Sequence, residues 1–237
     1  MKRRVSPDIC YLCGKAMGKD RTRDHVPPQS FFPEALRRQR NFSKLDVVYA
    51  HRDCNRAYML DEQYFFQSLA PLARRTEAGP TIWESVDKLI VTPAEWNLRL
   101  RVGREFYVDA AGQVCKTFEH NRIYRVAKKI VRGLHFLRWH TIMPEDWQYD
   151  FNLHDPYNRP PEPLLQMLEE NVAWGEYTEV FFFKVVRSEQ QRVQVWVLFL
   201  WDWAVIPVVV HEGGCLCVRC SPAALPNTPS PTKPSSP

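Results

Sequence analysis

Cys10-Tyr11-Leu12-Cys13 opens a stretch that closes on His51-Arg52-Asp53-Cys54-Asn55, with Arg23-Asp24-His25-Val26-Pro27-Pro28 lying between them. A Cys-x-x-Cys turn aims two sulfurs at one ion. A second pair at the same spacing, set at the start of a helix, completes a tetrahedral zinc site with bonds of about 2.0 to 2.3 Å. The ligand set this predicts is Cys10, Cys13, His51 and Cys54. The plainer reading, ordinary buried cysteines and a surface histidine, leaves the repeated spacing without a cause, because a reducing compartment offers no disulfide to explain it. Between Cys13 and His51 lie 37 residues. That is longer than a classical finger loop, so something substantial must fold inside it. The Asp24-His25 pair it contains is more than a structural zinc site requires.

Cys-x-x-Cys, then Asp-His-x-x-Pro, then a paired ligand motif ending in Cys-Asn resembles the HNH nuclease family, the zinc-stapled form of the ββα-metal fold. The likeness covers roughly the first 65 residues, and the phrase from Arg23 to Pro33 is similar to small bacterial members of that family. The resemblance implies a hairpin carrying Asp24 and His25, faced by a helix that starts near Asn55. It implies that His25 is a general base and that Asp24 and Asn55 hold one divalent cation. The family's middle asparagine corresponds to Asp46 here. This departure bears on how the loop carrying His25 is braced, although an aspartate still accepts a hydrogen bond. His51 in place of the commoner cysteine is a milder change, since imidazole is a normal zinc ligand.

The residue types also suit the chemistry on their own terms. Phosphodiester cleavage needs an activated water, a cation beside the phosphate and relief of charge on the leaving oxygen. A neutral imidazole accepts a proton near neutral pH. Asp24 and Asn55 offer the hard oxygens that Mg²⁺ or Mn²⁺ prefers, while thiolates retain zinc. Glu62 follows Asn55 by seven residues, two helical turns, which makes it either an outer carboxylate of the same site or a solvated helix charge.

Composition sets the frame. The 237 residues are 45% hydrophobic and 25% charged, with a formal net charge of +5, which reads as a soluble globular chain able to meet a phosphate-bearing partner. Neither a signal-peptide core nor a stretch suited to spanning a bilayer is evident, so the expected compartment is the cytoplasm and no membrane partner is expected. Basic residues crowd the motif: Lys15, Lys19, Arg21, Arg23, Arg37, Arg38, Arg40, Lys44, Arg52 and Arg56. Among them Arg37, Arg38 and Arg40 are the candidate phosphate contacts, weighed against a merely solubilising loop. The expected partner is DNA, with RNA not excluded. Oligomeric state is not legible.

The expected fold class is α+β, with three parts. Residues 1–75 form the zinc module and a docking helix over 57–75 whose stripe is Tyr58, Phe65, Phe66, Leu69 and Leu72, ending near Pro71. Residues 76–212 form an α+β domain of unreadable role. A short helix around Ile82 to Ile90 leads to strands over 98–102, 105–109 and 113–118. A helix over 120–137 follows, with an apolar stripe from Ile123 to Leu137, and then strands over 147–153, 180–187, 193–203 and 205–210. Pro207 marks the last of these as an edge strand. The basic side of the 120–137 helix, Arg122, Arg125, Lys128, Lys129 and Arg132, is expected to be a solvated face or to track a nucleic-acid backbone. Residues 213–237 are Cys-containing, then rich in Pro and Ser, and are expected to be disordered from 221 onward. His211 with Cys215, Cys217 and Cys220 offers a second possible zinc knot, at irregular spacing.

Two classes of function follow. The first is a metal-dependent HNH endonuclease cleaving DNA, with structural Zn²⁺ and catalytic Mg²⁺ or Mn²⁺. The second is a non-catalytic zinc module that binds nucleic acid or protein. Asp24, His25 and Asn55 together favour the first, and Asp46 favours the second.

Overall fold

The computed structural model describes residues 8–40, 42, 45–90, 96–154, 160–217 and 220. The tail expected over 221–237, the extreme amino terminus and part of the 155–163 connection lie outside them. The architecture is mixed α+β with antiparallel sheets.

Strand β1 (Arg21–His25) and strand β2 (Val47–His51) pair in antiparallel register, Asp24 opposite Val48 and His25 opposite Val47. Helix α1 (Glu34–Gln39) lies within the connection between them. Helix α2 (Arg52–Arg56) starts at once after β2, giving a ββα unit. Because side chains alternate across a strand, β1 turns Asp24 into the core and His25 to the opposite face. Helix α3 (Met59–Leu69) buries Tyr64, Phe65, Phe66 and Leu69, and Pro71 then tightens the chain into a 3₁₀ segment over Ala70–Arg75.

Helices α4 (Gly79–Ile90) and α5 (Trp96–Arg104) follow. Residues 98–102 therefore lie in a helix, not the expected strand. Leu98 and Val102 stand four apart, and a short apolar run carries no period that separates the two choices. Strands β3 (Phe106–Val108) and β4 (Val114–Lys116) form a separate hairpin whose turn uses Gly112 at φ +78°. Helix α6 (His120–Trp139) is the longest element, and its α_L cap at His140 donates its N–H to Phe136 O.

Strand β5 (Gln148–Phe151), helix α7 (Glu162–Glu169) and strands β6 (Trp174–Tyr177), β7 (Phe181–Ser188), β8 (Val193–Leu200) and β9 (Ala204–His211) complete the fold. The sheet order is β5-β9-β8-β7-β6. β9 is thus an inner strand, which corrects the edge assignment. Pro207 is tolerated because its carbonyl faces the β5 side, where it accepts from Asn152 N at 3.1 Å, one residue past the end of β5. In an antiparallel strand the N–H points the same way as the carbonyl, so the donor proline lacks is one the β8 ladder never used.

One hydrophobic core runs through both halves of the chain, from Tyr11 and Phe31 to Trp196 and Trp201. Phe31 stacks on Phe65 at 5.0 Å and meets Trp201 edge-on at 5.6 Å, so a loop of the amino-terminal unit plugs directly into the sheet. Helix α6 lies between the two, packing on α3 and β2 on one side and β9 on the other. Gly133 permits the close approach, since a Cβ there would fall 2.5 Å from Val26 Cγ2.

Candidate metal centre and active site

The zinc ligands predicted from spacing come together. The turn after Cys10 closes through Gly14 N to Cys10 O at 2.8 Å and Cys10 N to Lys15 O at 2.9 Å, with Gly14 at φ +73°. His51 ends β2 and caps α2, which carries Cys54 one turn later. His51 Nδ1 stands 3.3 Å from Cys13 Sγ and 3.8 Å from Cys54 Sγ, and the four ligand atoms all lie within 4.8 Å of one another. A tetrahedral zinc site has ligand–ligand edges of about 3.5 to 3.8 Å, so the spacing fits such an ion. The environment fits as well. His51 Nε2 is 3.0 Å from Ala16 O, which fixes the proton there and leaves Nδ1 free to coordinate, while the His51 amide donates to Cys10 Sγ at 3.4 Å. Burial pushes the Cys54 thiol up to about 12, and the charges of Cys10 and Cys13 add to this. Without an ion the crowding thus favours the neutral thiol, and a shared cation such as zinc would let the sulfurs ionise together.

Asp24, Asn55 and Glu62 also converge, from β1, α2 and α3. What they converge on is the ammonium of Lys129 from α6. Lys129 Nζ lies 3.0 Å from Asp24 Oδ1, 2.9 Å from Asp24 Oδ2 and 2.8 Å from Asn55 Oδ1, and it hydrogen-bonds Glu62 Oε1. Tyr11 OH donates to Asp24 Oδ2 at 2.7 Å, and the Tyr58 ring lies 5.4 Å from Nζ. Lys129 is 1% exposed and Asp24 5%. Burial raises the Glu62 carboxyl above the usual carboxylate range, with Lys129 pulling it back. Glu62 is therefore part of the cluster, not a solvated helix charge.

His25 is not in that cluster. It lines a cleft on the opposite face of the hairpin with Arg23, Gln29, Arg37, Leu45, Asp46 and Val47. Burial holds its imidazole below the usual value, and the Arg23 and Arg37 guanidiniums push the same way, so it is neutral at pH 7. Asp46 shares the cleft, its carboxyl raised by burial and then by Glu176. The bracing of the strand end passes through its main chain, Val26 N donating to Asp46 O at 3.0 Å, an interaction any residue type supplies. Arg37 lines the same cleft, but Arg38 pairs with Glu34 and Arg40 with Glu77 on the surface.

Much of the basic side of α6 is answered within the molecule, although Arg125 stays half exposed. Arg122 Nε and Arg125 Nη1 hold Asp61 at 2.7 and 2.8 Å, and Arg132 hydrogen-bonds Leu12 O in the cysteine turn. These residues with Lys129, spaced three to four apart, strap the helix onto the ββα unit. The only sequence signal is that spacing, 122, 125, 129 and 132, because the acids that answer it stand far away in the chain.

The described residues contain no helix long and apolar enough to cross a membrane. No protein-family model, curated protein or solved structure matches the chain.

Proposed function

We propose that the amino-terminal unit is an HNH-type, zinc-stapled endonuclease module that hydrolyses phosphodiester bonds in DNA. The observation that carries this reading is the meeting of Asp24, Asn55 and Glu62 oxygens, from three separate elements, at one point beside the cysteine clasp. Two carboxylates and an amide are the donor set of a hard divalent cation, and the ammonium of Lys129 stands where that cation would. Bound there, Mg²⁺ or Mn²⁺ would neutralise charge on a phosphate oxygen. Occupancy requires Lys129 to swing away on its four-carbon stem. His25, neutral but lining a cleft on the opposite face of the hairpin, would take the proton of the attacking water once the end of β1 turns it towards the cation, and Arg23 and Arg37 beside it would hold the flanking nucleic-acid backbone.

A second reading rests on two specific observations. Lys129 already satisfies all three acceptors, and His25 lies on the other face of the strand. If that arrangement persists, the module is a non-catalytic nucleic-acid binder stapled by zinc. One assay separates the readings: supercoiled plasmid incubated with wild type, His25→Ala and Lys129→Met, with Mg²⁺ or Mn²⁺ added or omitted. The nuclease reading expects cation-dependent nicking by wild type and its loss in His25→Ala at unchanged zinc content. Absence of nicking by both wild type and Lys129→Met, with plasmid still bound, establishes the binding module instead.

A further inference from the structure

We infer that the chain carries a second, structural zinc site formed by His211, Cys215, Cys217 and Cys220, oriented by Asp150. The four ligand atoms again lie within 4.8 Å of one another. His211 Nδ1 is 3.5 Å from Cys215 Sγ and 3.3 Å from Cys217 Sγ, close to the edges of a tetrahedron around zinc, about 3.5 to 3.8 Å. The Cys217 amide donates to Cys215 Sγ at 3.4 Å. A backbone N–H in that position is the usual donor to a metal-bound sulfur.

The imidazole supplies the deciding detail. His211 Nε2 lies 3.0 Å from Asp150 Oδ2 on the neighbouring strand β5. A carboxylate there holds the proton on Nε2 and leaves the Nδ1 lone pair aimed at the three sulfurs. His51 in the first site has the same arrangement, with Ala16 O in place of the carboxylate. Two sites far apart in sequence thus use one device: a histidine ending a β-strand, coordinating through Nδ1 and anchored through Nε2. A chance gathering of side chains has no reason to fix the tautomer in the direction coordination needs.

The backbone is shaped to the same end. Gly214 at φ +74° turns the chain after β9, Cys215 N bonds Glu212 O at 2.9 Å, and Cys220 N bonds Cys217 O at 3.1 Å. Leu216 N and Glu212 N reach back to Gln191 O and Arg192 O in the β7–β8 turn, at 3.0 and 2.9 Å. A metal ion here therefore clamps three things together: the end of β9, the β5 edge and the β7–β8 turn. Cys215 is buried and Cys220 exposed, so one ligand faces solvent. The second site should accordingly exchange its ion faster than the first.

The test is metal content of the full-length chain purified with zinc, by elemental analysis, with cobalt(II) replacing zinc for spectroscopy. Wild type should hold two zinc ions per chain. Cys215→Ser/Cys217→Ser should hold one, and a chelator should remove the two ions of wild type at different rates. Asp150→Asn should keep the thiolate-to-cobalt absorption of two sites while weakening the affinity of one of them by about 10- to 100-fold. One zinc per folded wild-type chain that the double-serine chain still retains overturns the inference. So does retention of two ions by the double-serine chain.

Discussion

Replacing Lys129 by methionine keeps an unbranched apolar side chain one atom shorter and removes the charge, which tests the cluster directly. Asp24 and Lys129 side chains are 6% and 2% exposed and Glu62 20%, so solvent offers the stranded carboxylates little relief. Removing one partner of a buried ion pair costs about 3 to 5 kcal/mol. For a chain of this size each kcal/mol moves the melting temperature by about 2 to 4 °C, which gives a fall of about 6 to 20 °C. The Tyr11 hydroxyl remains on Asp24 Oδ2, and protonating Glu62 recovers part of the loss, so the deficit should narrow as pH falls towards 5. The second half of the test is rescue. If the three oxygens form a cation site once the ammonium is gone, Mg²⁺ at one hundred times its dissociation constant restores about 2.7 kcal/mol. The assay is thermal unfolding by circular dichroism, in buffers with and without Mg²⁺ or Mn²⁺ and free of chelator, so that zinc stays in place. A variant as stable as wild type would show that the ammonium compensates nothing. A destabilised variant that no divalent cation rescues would refute the oxygen cluster as a metal site.

Cys54→Ser should lose the zinc held with Cys10, Cys13 and His51 and unfold the ββα unit, because structural zinc supplies much of a small unit's folding free energy; unchanged zinc content and thermal stability would remove the clasp. Gly133→Ala places a Cβ 2.5 Å from Val26 Cγ2 and should cost about 1 to 3 kcal/mol by overpacking, relieved in the double variant with Val26→Ala; additive losses in denaturant unfolding would disprove the contact. Burial pushes the His135 imidazole down to about 4, so the folded chain keeps it neutral where the unfolded chain, at about 6.5, binds a proton. Stability is therefore lost as pH falls from about 6.5 to 4, by about 3 kcal/mol, and His135→Gln should remove that part of the pH dependence. Arg37→Ala should weaken DNA binding and reduce the slope of log affinity against log salt by about 1, while Arg38→Ala should change neither; equal effects would mean that the cleft is not the binding face.

What could be read in advance was what the chain keeps local. The ligands of each cysteine turn are spaced within a few residues of one another, and the β7–β8 hairpin announces itself through two β-branched and aromatic runs separated by Ser188 to Gln191. Asp24 and Asn55 were paired in advance through the resemblance to the HNH family, and the hairpin and α2 that carry them do bring them together. Lys129 was not. It stands 105 residues from Asp24, 74 from Asn55 and 67 from Glu62, and nothing along the chain links a lysine on an amphipathic helix to acids so distant. Residues 98–102 failed for a different reason, being too short to carry a period. The inner place of β9 failed because a proline forbids a strand position only where its missing donor is needed. That depends on which neighbour has already ended.

Charge must then be counted where it is exposed, not where it is encoded. The formal net charge of +5 suggests a polyanion partner, yet much of the positive charge on α6 is already answered inside the molecule. Arg122 and Arg125 face Asp61, and Lys129 faces Asp24 and Glu62. Near the clasp, Arg38 is held by Glu34, Arg40 by Glu77, and Arg52 by Asp20 at 3.7 Å. Such surface pairs are weak and yield to a phosphate, but they lower the local potential until one arrives. Arg23 and Arg37 differ in lining a cleft, beside a neutral histidine and one half-buried carboxyl whose pKa is raised. A phosphate entering there would meet two guanidiniums and a proton acceptor. At the lysine cluster it would find carboxylates around a cation sealed from water. The His25 face of the hairpin is therefore where a nucleic-acid backbone has reason to approach. In the proposed nuclease reading, the Lys129 cluster behind it is what would separate cleavage from binding alone, because a divalent cation can enter only where that ammonium now stands.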